Sequence, residues 1–212
     1  MIDFYTWTTP NGRKVSILLE ELGVPYKTHS INISKDEQFS SAFLKIYPNN
    51  RIPAIYDSDE NITLMESGAI MLYLGRKYGK FIVNGDEYWR MIEWLMWQMG
   101  GLGPMLGQVH HFAKYNKGKS LYAEERYLKE AHRLYKVLNN RLREREFIVG
   151  KGKGEYTIAD MAIWPWVSRF EWQHIDLNEY VDVKRWYINI AERPAVIKGY
   201  HSPSYVSEIP IP

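Results

Sequence analysis

The chain has 212 residues, enough for one or two domains with a substantial core, and 25% charged with 45% hydrophobic residues is ordinary for a soluble globular protein. A formal net charge of +2 gives no electrostatic reason to expect nucleic acid or an acidic membrane surface, and no apolar run approaches membrane-spanning length. Cysteine is absent, which excludes a structural disulfide, a cysteine nucleophile and any thiolate metal site. Met1-Ile2-Asp3-Phe4 has no signal-peptide layout, so the expected compartment is the cytoplasm.

In chain order, residues 2–6 alternate as a short strand. Thr8-Thr9-Pro10-Asn11-Gly12 breaks that pattern, and 15–22 reads as an amphipathic helix closed by Gly23. A second strand is expected over 26–33, a short helix over 39–46, strands over 52–56 and 61–65, and a helix over 67–78. The order βαβαββα implies a thioredoxin-like half, a mixed sheet with helices on both faces.

The Gly-bounded segment 77–85 is the expected domain boundary, and no strand pattern recurs beyond it. A helix over 86–99 should be kinked or broken by Gly100-Gly101-Leu102-Gly103-Pro104 before resuming over 105–115. Residues 120–146 form a long amphipathic helix with Tyr127, Ala131, Leu134, Leu138 and Leu142 near one face. Thr157 and Asp160 make a capping box for the next helix, with Tyr156 placed to staple onto Met161. The last helix spans 181–191, ended by Glu192-Arg193-Pro194. The division expected is therefore 1–80 thioredoxin-like, 86–200 all-helical, and 201–212 an extended or disordered Pro-containing tail.

Two stretches of the first half carry chemistry. In Ile52-Pro53-Ala54-Ile55-Tyr56, Pro53 cannot donate to a sheet ladder and belongs at a strand start or edge. A cis bond there would turn the backbone groups of Ile52 outward, toward an extended peptide lying alongside. Glu66-Ser67 follows where a strand hands over to a helix. Ser67 is a natural N-cap, and the N–H groups behind it would hold a carboxylate. The residues themselves support two readings: a site for a small peptide-like ligand, or a hairpin leading into a capped helix.

The pair Ile52-Pro53, the run Glu66-Ser67-Gly68-Ala69-Ile70 and the box Tyr156-Thr157-Ile158-Ala159-Asp160 resemble the cytosolic glutathione transferases. The chain is similar in particular to their bacterial Nu-class branch, glutathione-dependent disulfide reductases. That likeness is carried by Thr9-Pro10-Asn11-Gly12, Pro48-Asn49-Asn50-Arg51-Ile52-Pro53-Ala54-Ile55, the stretch from Trp97 through Gly100-Gly101-Leu102-Gly103-Pro104 to Gln108, and Ile163-Trp164-Pro165-Trp166. It covers residues 1 to about 200, leaving the tail outside. The resemblance implies glutathione as reduced co-substrate or bound oxidised glutathione, no metal, a small disulfide or electrophile as second substrate, and a homodimer. It implies that Ile52, Pro53, Glu66 and Ser67 contact glutathione, that Arg51 or Gln38 meets its backbone or glycyl carboxylate, Gln38 being the one the resemblance supports, and that Arg126 reaches the ligand of the neighbouring subunit. A solvated helix charge explains Arg126 equally well.

The reactive thiol of a thioredoxin-like fold lies at the N-terminus of the first helix, where the dipole and free N–H groups favour a thiolate. Here that place holds Thr9-Pro10-Asn11-Gly12, so the sulfur must arrive with the ligand. Thr9 and Asn11 can each donate to it, each bond to an anion being worth roughly 1.5–3 kcal/mol. Lowering a thiol pKa by two units takes about 2.7 kcal/mol, so one or two donors with the helix end suffice. Their alternative role is a loop followed by an N-cap. Tyr5 stands where several transferase classes keep a catalytic tyrosine, and here it reads as packing. His110 and His111 diverge by about 100° on a helix and cannot chelate one metal from one face. Asp160 reads as a cap rather than a catalytic acid. The function expected is glutathione-dependent disulfide reduction, the alternatives being a conjugating transferase or a non-catalytic interaction module.

Overall fold

The computed structural model describes all residues 1–212. The chain forms two compact units, Met1–Lys80 with Arg193–Ile209, and Phe81–Glu192 with Pro210–Pro212.

The first unit holds four strands, β1 (Ile2–Thr6), β2 (Tyr26–Ser30), β3 (Ala54–Asp57) and β4 (Ile62–Met65), in the order β2-β1-β3-β4. β1 pairs parallel with β2, Phe4 opposite Thr28, and antiparallel with β3, Phe4 opposite Ile55. β3 and β4 form the antiparallel hairpin. Ile2, Phe4 and Ile55 alternate inward and are fully buried. Interleaved are α1 (Pro10–Leu22), α2 (Ser41–Leu44) and α3 (Ser67–Tyr78), giving the βαβαββα order that the sequence implies.

α1 begins five residues before its apolar run because Thr9 caps it and Pro10 stands in its first turn, where a missing N–H costs nothing. Gly12 belongs to that turn for want of space: a Cβ there would lie 2.3 Å from the Trp7 carbonyl oxygen. Gly23 closes the helix at φ 68°. β2 is shorter than expected. The chain beyond it forms two 3₁₀ turns, Ile33–Lys35 and Glu37–Phe39, and the helix expected over 39–46 shrinks to α2. β3 starts at Ala54, after the cis Ile52–Pro53 bond, so the ladder excludes Ile52.

The sequence reading ends the helices at 191, yet a further helix, α9 (Pro194–Tyr200), forms and packs on α1 in the first unit. Ser16 donates to the Gly199 carbonyl at 2.7 Å, and a Cβ on Gly199 would fall 2.7 Å from the Ile17 backbone. The Arg13 guanidinium lies 3.5 Å over the Tyr200 ring, and Arg193 clasps Glu21 through two bonds of 2.6 and 2.9 Å. Seven residues led by proline carry little helical signal of their own, and these contacts supply the rest. Beyond Tyr200 there is no regular secondary structure.

The second unit is helical: α4 (Asp86–Trp97), α5 (Gly103–Val109), α6 (Leu121–Leu142), α7 (Ile158–Val167) and α8 (Val181–Ala191). The glycine run does not break α4 from α5. Gln98–Leu102 is a π-helical turn in which the Gly103 N–H bonds the Gln98 carbonyl, and a second π-turn spans His110–Tyr115. The wider turn carries the helix past Pro104, which has no N–H to give. Gly103 and Gly107 let α5 close on Trp166; a Cβ at Gly103 would meet the Gln98 amide nitrogen at 2.5 Å. Every residue of α7 is buried. The Tyr156 ring lies against Phe81 and Phe147. No helix is long and apolar enough to cross a membrane.

Candidate functional site

In the first unit the chain leaves β1 at Thr6 and turns at Trp7-Thr8 into the N-terminus of α1. Thr9 stands at the N-cap, its hydroxyl oxygen accepting from the Gly12 N–H at 3.2 Å. The cap engages the oxygen as acceptor and leaves the hydroxyl proton able to donate, so capping and donation to a sulfur anion are compatible. Asn11 is half-buried in the first turn of the same helix.

The hairpin β3–β4 ends at Glu66, which sits at the N-cap of α3 with φ 69°. This corrects the expectation that Ser67 is the cap. Ser67 is the first helical residue, 3% exposed, and no side chain caps α3. The Glu66 carboxylate is turned away to accept the Tyr47 hydroxyl at 2.6 Å. Burial and that carboxylate hold the Tyr47 phenol well above its ordinary pKa, so it stays a donor. The Ile70 N–H is bonded back to the Glu66 carbonyl at 2.9 Å, and the helix dipole here faces outward with positive sign.

α1 packs beside α3, and the contact brings a residue the sequence reading overlooked. Lys14 is 1% exposed, and its amine donates to the Ser67 hydroxyl oxygen at 3.4 Å. Burial lowers its pKa to about 7, against the raising effect of Glu66. A signal did exist: Arg13-Lys14 puts two cations near the start of a helix, where the dipole disfavours them, directly before an apolar run. Each has a partner that makes it necessary: Tyr200 for Arg13, Ser67 for Lys14.

Tyr47 also belongs to a small apolar cluster with Phe43 and Ala54, against which Tyr5, Ile31, Ile46 and Ile52 pack. That cluster fixes Ile52, Tyr47 and hence Glu66 in one neighbourhood, with Pro53 buried behind Ile52. Tyr5 stacks on His29 with ring centroids 4.6 Å apart, and burial with nearby Asp3 raises its pKa. Its ring is part of the packing, as the sequence suggests. Gln38 lies in the second 3₁₀ turn, 8% exposed, with a buried carbonyl oxygen that has no partner. Arg51 is exposed in the loop before Ile52.

Arg126 lies in the second unit on α6, exposed, beside Tyr122 and Tyr127 in a groove of about 830 Å³ lined also by Lys129, Arg133 and Lys136. His110 is buried in that unit, stacked on Trp166, while His111 points to the surface. Asp160 accepts from the Ile148 and Thr157 backbone N–H groups, the Thr157 hydroxyl and the Trp186 indole, the buried cap that its spacing implies.

Comparison with known proteins shows the family. Residues 4–81 match the family described as glutathione S-transferase, N-terminal domain, and residues 102–194 the glutathione S-transferase, C-terminal domain. The chain is 46% identical over 201 residues to the disulfide-bond oxidoreductase YfcG of Escherichia coli, covering 92% of each. Its structure is similar to a glutathione transferase homolog from Lodderomyces elongisporus with two GSH per subunit, at TM-score 0.90 and 35% identity over 95% of this chain and 98% of that one. It is similar also to a glutathione transferase from Pseudomonas putida with one glutathione disulfide bound per subunit, at TM-score 0.89 and 38% identity over 96% and 92%.

Proposed function

The chain belongs to the glutathione transferase family, and we propose that it is a glutathione-dependent disulfide-bond oxidoreductase whose chemistry runs on ligand sulfur alone. One observation carries this reading. The helix N-terminus that would activate a thiol is built from Thr9, Pro10 and Asn11, in a chain with no cysteine.

Glutathione lies with its amino-acid end at α3, the carboxylate toward Ser67 and the ammonium toward the Glu66 carboxylate, and with its backbone along Ile52 and Pro53. Gln38, with its unsatisfied buried acceptor, takes a peptide N–H of the ligand, and Arg51 the glycyl carboxylate. Thr9 and Asn11 donate to the sulfur and hold it as thiolate. That thiolate attacks one sulfur of the substrate disulfide; the S–S bond breaks, and the other half leaves as a thiolate that takes a proton. A second glutathione thiolate attacks the mixed disulfide, releasing the second thiol and forming oxidised glutathione. Two glutathione thiols are oxidised and one disulfide reduced. Relatives crystallised with two GSH, or with one glutathione disulfide, per subunit hold the reactant and product pairs of this scheme.

The test is turnover of 2-hydroxyethyl disulfide. Asn11→Ala should lower kcat roughly 10- to 100-fold, the worth of one bond to an anion, with the glutathione KM within about threefold, while Tyr5→Phe changes little. The reverse pattern would place the thiolate on Tyr5 and the protein among the conjugating transferases.

The working form is a homodimer in the cytoplasm, where glutathione is kept reduced. This reading is supported by Trp89 and Met96, two turns apart on α4 and 69% and 48% exposed, and by Arg126, exposed on an open groove, from which it would serve a neighbouring subunit. A monomer in sedimentation at micromolar concentration would overturn this and remove Arg126 from the site.

A further inference from the structure

Tyr47 is a buried side chain whose hydroxyl reaches a surface carboxylate. The residue is 3% exposed, and its ring packs with Ala54 and with Phe43, the two ring centroids lying 6.4 Å apart. Its backbone is fixed on both sides: the N–H bonds the Phe43 carbonyl at 2.8 Å, and the carbonyl accepts from the Asn50 N–H at 2.9 Å. A tyrosine held this way presents its hydroxyl from one place. The hydroxyl proton goes to Oε1 of Glu66 at 2.6 Å, and burial beside that carboxylate keeps the phenol from ionising at working pH.

Glu66 has the opposite character. It is exposed where β4 hands over to α3, on a side chain with several free torsions, and ordering such a side chain opposes binding. The bond from Tyr47 sets that order before any ligand arrives. It engages one carboxylate oxygen, and the exposed group keeps acceptor capacity on the other for a cation coming from solvent.

Resting on the glutathione reading above, we infer that Tyr47 is a positioning residue that makes the site selective for a ligand with an α-ammonium group, by holding the Glu66 carboxylate where that ammonium lies. Tyr47 acts through Glu66 alone and serves neither the ligand's carboxylate nor its sulfur, so its influence ends with the ammonium. Glutathione presents that cation on its γ-glutamyl end. Glutaryl-Cys-Gly is the same molecule with hydrogen in place of the amine, and it leaves Glu66 without a partner charge. The preference for one over the other therefore reports on the Tyr47–Glu66 pair and on nothing else that binds glutathione. A bond that only fastened the hairpin to the segment after α2 would affect both ligands alike.

The experiment is calorimetric binding of glutathione and of glutaryl-Cys-Gly to the full-length protein. The wild type should prefer glutathione about 10- to 100-fold, the worth of one charge-assisted bond. Tyr47→Phe should narrow that preference about three- to tenfold by weakening glutathione alone, with glutaryl-Cys-Gly unchanged within about twofold. Glu66→Gln, which removes the charge, should bring the two ligands within about threefold of each other, and adding Tyr47→Phe to it should move neither by more than about twofold. In the reductase assay Tyr47→Phe should raise the glutathione KM by the same factor as its affinity falls, with kcat within about twofold, because the defect lies away from the sulfur. An equal loss for both ligands in Tyr47→Phe, or an undiminished preference for glutathione, overturns the inference and leaves the glutathione reading standing. A wild type that binds the two ligands equally overturns the inference and moves the ammonium away from Glu66. Failure of the wild type to bind glutathione at all overturns the glutathione reading as well. Should Tyr47→Phe not fold, Glu66→Asp, one methylene shorter on the other side of the bond, should narrow the preference likewise, and an undiminished preference there overturns the inference.

Discussion

The N-terminus of α7 is closed by the chain's own residues, whereas that of α3 has no side chain capping it. At α7, Thr157 accepts from the Ala159 N–H at 3.2 Å and Asp160 returns to the Thr157 N–H at 3.1 Å, all of it buried. At α3 the residue in the cap position, Glu66, is exposed with φ 69°, and its carboxylate is drawn off by Tyr47. Non-glycine residues occupy that region of backbone at some cost, and the surrounding contacts hold Glu66 there. A helix start that satisfies itself is scaffold. The start of α3, whose cap residue turns its side chain to Tyr47, is where the proposed reading places the ligand carboxylate.

The comparison breaks most forcefully at Asp160. Asp160→Ala removes an acceptor from four buried donors and should destabilise the helical unit by about 3–5 kcal/mol in urea unfolding, with the first unit's ligand affinity little changed in the protein that remains folded. A loss below about 1 kcal/mol would mean the box is decorative.

Acidity separates the two ends next. Burial pushes the Asp160 carboxyl up to about 6, against the pull of its four donors. A raised carboxyl binds its proton more tightly in the folded state than in the unfolded chain, so its contribution is present below pH 4 and is lost as pH rises through 6. Relative to Asp160→Asn, which does not titrate, the wild type should lose up to about 3 kcal/mol between pH 4 and 6.5. Parallel pH profiles for the two proteins would show that the four donors outweigh burial and keep the group ionised throughout.

These two helix starts were not equally legible in the amino-acid sequence. Thr157 and Asp160 stand at fixed spacing before an apolar run, and a box of that kind is local information. The βαβαββα order was legible for the same reason, since strands and helices of the first half each announce themselves within a few residues. The true cap of α3 was not, because Ser67 satisfies the local rule while the backbone leaves the helix one residue earlier, at Glu66 with φ 69°. Lys14 is marked in the sequence only by its place beside Arg13 ahead of an apolar run, and its burial depends on α3 lying against α1. α9 and the continuity of α4 into α5 are not legible locally, because Pro194 and the Gly100–Pro104 run are breakers by local rule and tertiary packing overrides them, whereas the helix expected over 105–115 forms with its last turn widened at His110–Tyr115.

Ser67→Ala probes the α3 end directly. It removes a hydroxyl that accepts from the Lys14 amine and, on the proposed placement of the ligand carboxylate, should weaken glutathione binding by about 1–3 kcal/mol. Folding stability should fall by about 1–2 kcal/mol, because the buried Lys14 amine loses the hydroxyl oxygen to which it donates although no helix cap is lost. Wild-type affinity by calorimetry would withdraw Ser67 from the site, and a large fall in stability would make it a structural residue like Thr157.

The smallest effect is expected from Tyr47→Phe, and it sharpens the comparison at the residue that displaces the cap. Tyr47 is 3% exposed and its ring packs with Phe43 and Ala54, so phenylalanine preserves the cluster and removes only the hydroxyl. The bond lost is a donation to a carboxylate at 2.6 Å, but Glu66 is exposed and water replaces the donor, which keeps the change near 0.5–1.5 kcal/mol. Because the phenol is held well above its ordinary pKa, the wild type loses this bond at no working pH, and the variant's deficit should be flat from pH 6 to 9. Affinity for glutathione should fall about three- to tenfold, and the melting temperature by no more than about 6 °C. A deficit confined to stability would show that Tyr47 merely fastens the hairpin to α2. A deficit confined to affinity would show that holding the Glu66 side chain toward Tyr47 is what keeps the start of α3 available to the ligand.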